Sequence, residues 1–117
     1  FLPNKSVINK YKYNYEKDPR KAVKNADILY TDTWMSYHIP EAQKSRREKI
    51  LKPYQVNEKL FNISKKALFM HCLPASRGKE ITDSVIDSKR SIVYDQAENR
   101  MWAQMALLLK LLKWQNM

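Results

Sequence analysis

Three side chains in this sequence carry the chemistry of a reactive site: the carboxylate of Asp32, the thiol of Cys72 and the guanidinium of Arg100. Each follows closely on a short apolar run. A carboxylate binds a cation or takes a proton. A thiol becomes a nucleophile or proton acceptor once ionised. A guanidinium holds an anion through charge-assisted hydrogen bonds. Other polar residues gather beside each: Trp34, Ser36 and His38 after the first run, His71 and Leu73 around the thiol, and Asp95, Gln96, Glu98 and Asn99 before the guanidinium. Each of the three also has a structural reading. Asp32 can cap a loop. Cys72 can pack as a small hydrophobe, although His-Cys-Leu-Pro marks a backbone turn. Arg100 can pair with Asp95 and Glu98. In the first turn of a helix, where positive partial charge already collects, an Arg gains from a bound anion. His38 and His71 lack the Cys-His-Asn/Asp signature of a hydrolase and the spacing of a metal site.

The elements that must place these groups read as alternating strands and helices. Residues 26–31 (Ala-Asp-Ile-Leu-Tyr-Thr), 67–71 (Ala-Leu-Phe-Met-His) and 91–94 (Ser-Ile-Val-Tyr) are short apolar runs of the kind that form buried parallel strands. Asp18-Pro19 reads as a helix start, with Asp18 as cap and Pro19 in the first position. Residues 41–52, 57–64 and 81–88 read as further helices, and residues 97–113 as a long one. In the long helix Ala97, Met101, Met105, Leu108 and Leu112 form an apolar stripe, widened by Trp102 and Leu109, that reads as core packing. Tyr11, Tyr13 and Tyr15 alternate with Lys12 and Asn14 as in a strand with one aromatic face, or as in a base-stacking surface. The alternation predicts an α/β fold with a parallel sheet. Parallel strands share one carboxyl edge, and ligands bind in the crevice there. Asp32, Cys72 and Arg100 are thereby brought to one edge.

Composition excludes several classes of function. The 117 residues bound the chain to one domain or part of one. A single glycine, Gly78, rules out a Walker-type phosphate loop and a dinucleotide fingerprint. A single cysteine rules out an intrachain disulfide or a thiolate metal cluster, and favours the cytoplasm. No cofactor motif is present. The apolar run at residues 105–112 is broken by Lys110 and falls well short of the roughly 20 residues of a membrane span. The formal net charge is +10, but its lysines are mixed with Glu16, Asp18, Glu41, Glu48 and Glu58, as on a solvated surface rather than a dedicated nucleic-acid face.

Three motifs, Asp32-Thr33-Trp34-Met35-Ser36, His71-Cys72-Leu73-Pro74 and Ala97-Glu98-Asn99-Arg100, resemble in order and spacing the second half of the ornithine carbamoyltransferases. The flanks Asp18-Pro19, Ala22-Val23, Ala26-Asp27 and Pro53-Tyr54-Gln55-Val56 are similar too, so the resemblance runs from about residue 17 to residue 112. It implies a three-layer sandwich around a parallel sheet, the Rossmann-like half of the carbamoyltransferase fold. It also implies transfer of a carbamoyl group from carbamoyl phosphate to the δ-amino group of ornithine. The cysteine favours ornithine over aspartate as acceptor.

Residue by residue, the resemblance implies that Asp32 faces the α-ammonium of ornithine and that Ser36 helps hold that end. Tyr37 stands where the family usually has Met. Cys72 would lie near the δ-amino group and the carbamoyl carbon, and as a thiolate could assist the amine in shedding its proton. Leu73 would offer its carbonyl to the carbamoyl amide, and Arg100 would contact carbamoyl phosphate. The family's Ser-x-Arg-Thr-Arg phosphate loop does not occur here. The chain therefore reads as the C-terminal ornithine-binding part (residues 1–117) of such an enzyme, without its carbamoyl-phosphate domain. The whole family member is commonly a homotrimer. The competing reading is a catalytically inactive basic module on the same fold that binds nucleic acid.

Overall fold

The computed structural model describes residues 5–11, 13–36 and 38–112. In chain order these form α1 (Lys5–Lys10), α2 (Pro19–Ala22), β1 (Ile28–Thr31), α3 (Glu41–Leu51), a 3-10 turn (Lys52–Tyr54), α4 (Glu58–Phe61), β2 (Leu68–His71), α5 (Asp83–Ile86) and α6 (Val93–Leu111). The fold is α/β. β1 and β2 pair in parallel, with Ile28 opposite Leu68 and Thr31 opposite His71.

Local chemistry sets the helix starts. The Asp18 carboxylate accepts from the Arg20 backbone N–H at 2.9 Å, and Pro19 occupies the first helical position of α2. Asn57 does the same for α4, accepting from Leu60 N at 3.1 Å. The short β1 and β2 are then held by what packs on one face. Leu29, Phe69 and His71 point into a core completed by Val23, Val56, Leu60, Phe61, Ala67, Ile81, Val85, Ile86 and Val93. Phe69 sits at its centre, fully buried and edge-on to Phe61 at 6.2 Å between centroids. The Arg90 guanidinium covers the other side of Phe61 and ties down the carbonyl of Ser64 and the side chain of Asn62.

Three sequence expectations change. The run at residues 91–94 is not a strand: it touches the sheet through one bridge, Ser91 to Phe69. Phe69 N donates to Arg90 O and Ile92 N donates to Phe69 O, which begins a parallel ladder. The Ile92 carbonyl then accepts from Gln96 N at 2.9 Å instead of from β2, and α6 starts. The helix therefore begins at Val93, four residues earlier than the sequence suggests. Secondly, residues 13–16 form no strand, and Tyr11, Tyr13 and Tyr15 are exposed. Period-two alternation makes a strand only where a neighbour supplies the ladder. Lys12 lies outside the described residues.

Thirdly, the α6 stripe is not core. Met101, Trp102, Met105, Leu108, Leu109 and Leu112 are all exposed, Leu112 by 71%, and Val93 is the only buried residue of that helix. The strands are likewise covered on one face alone. Ile28 and Tyr30 of β1 and Leu68 of β2 are exposed. Their apolar character on both faces is that of strands meant to be covered twice.

Candidate functional site

The parallel register decides the geometry. Because Thr31 lies opposite His71, the next residues, Asp32 and Cys72, leave the sheet side by side at its carboxyl edge. The Cys72 thiol donates to Asp32 Oδ1 at 2.9 Å, and Thr33 N donates to the same oxygen at 2.6 Å. The loop that carries Asp32 is anchored through Trp34, whose ring is buried and whose carbonyl accepts from Arg47 Nε of α3 at 2.6 Å.

These contacts fix the protonation of the pair. The hydrogen bond from Cys72 and that from Thr33 hold the Asp32 carboxyl below its ordinary value. Burial and the neighbouring carboxylate push the Cys72 thiol up, partly opposed by a hydrogen bond from Tyr30. The proton of the pair therefore rests on sulfur. This corrects the expectation of a thiolate at Cys72, because an anion beside the sulfur disfavours a second negative charge.

Leu73 turns the chain away with φ +54°, a left-handed conformation uncommon for a branched residue, and a cis bond to Pro74 follows. The imidazole of His71 secures this turn. Its Nδ1 accepts from Leu73 N at 2.8 Å, which leaves the ring proton on Nε2 in the neutral form. Nε2 faces Glu80 Oε1 at 3.6 Å, and both side chains are essentially inaccessible to solvent. Glu80 Oε1 accepts from Ser76 N, so the buried carboxylate ties down the far end of the loop, while His71 Nε2 has no hydrogen-bond partner among the described residues. The Leu73 carbonyl has no hydrogen-bond donor among the described residues.

Arg100 approaches from α6. It lies two turns into the helix rather than in the first turn, because α6 begins at Val93. Pairing with Asp95 and Glu98 does not occur: Glu98 instead accepts from Trp102 Nε1 at 3.1 Å. Among the described residues the Arg100 guanidinium has no partner. It lines, with Cys72, Leu73, Tyr30, Arg77 and Gln96, an open cavity of about 600 Å³. Arg77 in that wall is neutralised by Asp83 and Asp87.

The structure thus brings Cys72, Leu73 and Arg100 to one cavity; Asp32 does not line it and joins the site through its contact with Cys72. Ser36 is in the loop after β1, exposed, with its carbonyl accepting from Ile39 N at 3.2 Å, and does not line the cavity. Tyr37 lies outside the described residues. His38 is exposed and also stands apart from the cavity. Sequence reasoning gave no role to Tyr30, Gln96 or Glu80. Strand alternation could have found Tyr30, which shares a face with Asp32 two residues on. Nothing in Arg77-Gly78-Lys79-Glu80 marks Glu80 for burial.

A carboxylate, a thiol and a guanidinium without a partner among the described residues thus stand at the carboxyl edge of a parallel sheet, the place where α/β domains bind their ligands. A sequence profile described as aspartate/ornithine carbamoyltransferase, Asp/Orn binding domain, matches residues 4–111. The ornithine carbamoyltransferase of Archaeoglobus fulgidus is 51% identical over 116 residues, covering 94% of this chain and 38% of the relative. That of Pyrococcus horikoshii is 55% identical over 96 residues, covering 81% and 30%. Among solved structures, ornithine carbamoyltransferase from Thermus thermophilus superposes with a TM-score of 0.80 at 34% identity, over 93% of this chain and 35% of that one. The enzyme from Pyrococcus furiosus gives 0.63 at 52% identity, over 79% and 29%. The chain belongs to the aspartate/ornithine carbamoyltransferase family, within its Asp/Orn-binding domain. It spans 38% of the length of the Archaeoglobus relative.

Proposed function

We propose that this chain supplies the acceptor side of an ornithine carbamoyltransferase. In that reaction the δ-amino nitrogen of ornithine attacks the carbamoyl carbon of carbamoyl phosphate. A C–N bond forms, the C–O bond to phosphate breaks, the amine loses one proton, and citrulline and phosphate leave. The observation that carries the reading is the cavity lined by Cys72 and the unpaired Arg100, with Asp32 bonded to Cys72 beside it. Asp32, ionised and exposed, is a counter-ion for an ornithine ammonium group. Ser36 and Tyr37 serve the same end of the substrate. Cys72 and the open Leu73 carbonyl lie where the amine meets the carbamoyl group, and Arg100 draws the phosphate. By the same resemblance the complete enzyme is a cytoplasmic homotrimer of arginine metabolism, with its phosphate loop on another domain.

Calorimetric titration of ornithine into this chain tests the reading. Heat is expected with the chain as it stands, and is expected to vanish with Asp32→Asn. A folded sample that gives no heat, but shifts DNA or RNA in a salt-dependent manner, would replace this reading with the basic interaction module.

A further inference from the structure

We propose that Gln96 is a positioning residue for Arg100: its side chain ties the first turn of α6 to both strands, and the helix carries the guanidinium one turn further on, over the cavity that Cys72 lines. The tie is made where the parallel ladder stops. Phe69 N donates to Arg90 O and Ile92 N donates to Phe69 O. The next rung would run from His71 N to the Ile92 carbonyl, but Gln96 N takes that carbonyl at 2.9 Å. The side chain of the same residue then supplies what its backbone removed, since Gln96 Oε1 accepts from His71 N at 3.1 Å. That contact fixes the amide's orientation, because a backbone N–H needs the acceptor oxygen. The amide nitrogen is left to donate to the Tyr30 hydroxyl at 3.3 Å. One side chain of α6 thereby holds the end of β2 and a residue of β1.

Little else fixes the helix. Val93 is its only buried residue, and every residue from Ala97 to Leu111 is exposed. Val93 and Gln96 are three positions apart, so they anchor one side of the first turn. Arg100 follows Gln96 by four positions, which puts it on the same face and about 6 Å along the axis. Both line the cavity. The guanidinium has no partner among the described residues, so its place over Cys72 is set by the helix that bears it and not by an ion pair. A buried valine sets the distance of the helix from the sheet but leaves it free to roll. Two directed hydrogen bonds from Gln96 remove that freedom. This role rests on the reading of Arg100 as the group that draws the phosphate, but its measurement needs no substrate.

Cys72 is the sole cysteine, so its alkylation reports the field in the cavity. Iodoacetate is an anion and iodoacetamide is neutral, and both react with the thiolate. The ratio of their rates at low ionic strength therefore cancels the thiolate fraction and reads the local positive charge. Asp32 and the neutralised Arg77 are the same in every variant. Arg100→Met is expected to lower the ratio about two- to fivefold. Gln96→Met, uncharged and of similar length, should lower it most of the way to that value. In the Arg100→Met background, Gln96→Met should change the ratio no further. Circular dichroism accompanies each variant. Should Gln96→Met fail to fold, Gln96→Asn keeps the amide and the charge but falls a methylene short of His71, and makes the same measurement. An unaltered ratio in the folded Gln96 variant, an unaltered ratio in Arg100→Met, or a Gln96 effect that persists without Arg100 overturns the proposal. Each of these leaves ornithine binding at Asp32 untouched. Absence of ornithine heat in the unaltered chain overturns the acceptor reading without moving the ratio.

Discussion

Cys72 and Asp32 are 40 residues apart in sequence, yet the thiol donates to the carboxylate at 2.9 Å. Neither group reaches far to do so. Both sit one residue beyond the paired ends of parallel strands, and the register Thr31 to His71 sets them side by side. A slip of one residue would send one of them to the opposite face of the sheet.

The pair gives stability a characteristic pH dependence. Asp32 has its pKa lowered in the folded state, so its contribution is present above the ordinary carboxylate value of 3.8 and is lost as pH falls through the lower folded value. Cys72 has its pKa raised, so its contribution is complete below the ordinary thiol value of 9.0 and is lost as pH rises through the higher folded value. Thermal melts should form a plateau between these limits. Asp32→Asn should weaken the fall on the acid side and Cys72→Ser the fall on the alkaline side. Melting profiles that both variants leave unaltered would mean the two groups do not interact in solution.

Removing the carboxylate should also free the sulfur. Asp32→Asn is expected to lower the thiol pKa and to speed alkylation at pH 7.5 several-fold, because one unit of pKa is tenfold in thiolate. Stopped-time alkylation followed by mass spectrometry measures this. A slower reaction would contradict the electrostatic account.

The loop brace predicts a graded pair of variants. Glu80→Ala leaves the Ser76 amide without its acceptor and takes away the carboxylate that faces His71 Nε2, at a cost of about 1–3 kcal/mol. Glu80→Gln keeps an acceptor oxygen and should cost less. Urea unfolding ranks the two, and an Ala variant as stable as the Gln variant would show that the carboxylate braces nothing.

Phe69→Ala should be among the most damaging core changes. The ring is fully buried and edge-on to Phe61, and its loss costs about 3–5 kcal/mol by deletion and cavity. A small domain has little more than that to lose. Far-UV circular dichroism should show a largely unfolded chain, and a cooperative melt near that of the unaltered chain would argue against this core.

The uncovered face of α6 predicts self-association. Met105, Leu108 and Leu112 are about half exposed or more, and a contiguous apolar patch of this kind drives aggregation. The double variant Leu108→Glu, Leu112→Glu should reduce dye binding and concentration-dependent sedimentation while leaving the melting temperature within a few degrees. Unaltered sedimentation would place the association elsewhere.

Much of the site was legible from residue order. Short apolar runs with a polar residue at the end predicted β1 and β2, and Asp18-Pro19 and Asn57 announced the starts of α2 and α4 through their own capping chemistry. These are local decisions, made by side chains within a few residues of the backbone they govern, so the sequence by itself determined them. It likewise determined that Asp32 and Cys72 would share an edge, since parallel pairing leaves no other arrangement. Tertiary structure decided what depends on competition for partners. The Ile92 carbonyl went to Gln96 rather than to β2, which replaced a third strand with a helix and moved Arg100 out of the first turn. Glu80 became a buried brace because the loop folded over it, and Cys72 kept its proton because a carboxylate from another strand arrived beside it. Hydrogen-bond competition and the field of a distant charge depend on three-dimensional proximity, which no periodicity along the chain encodes.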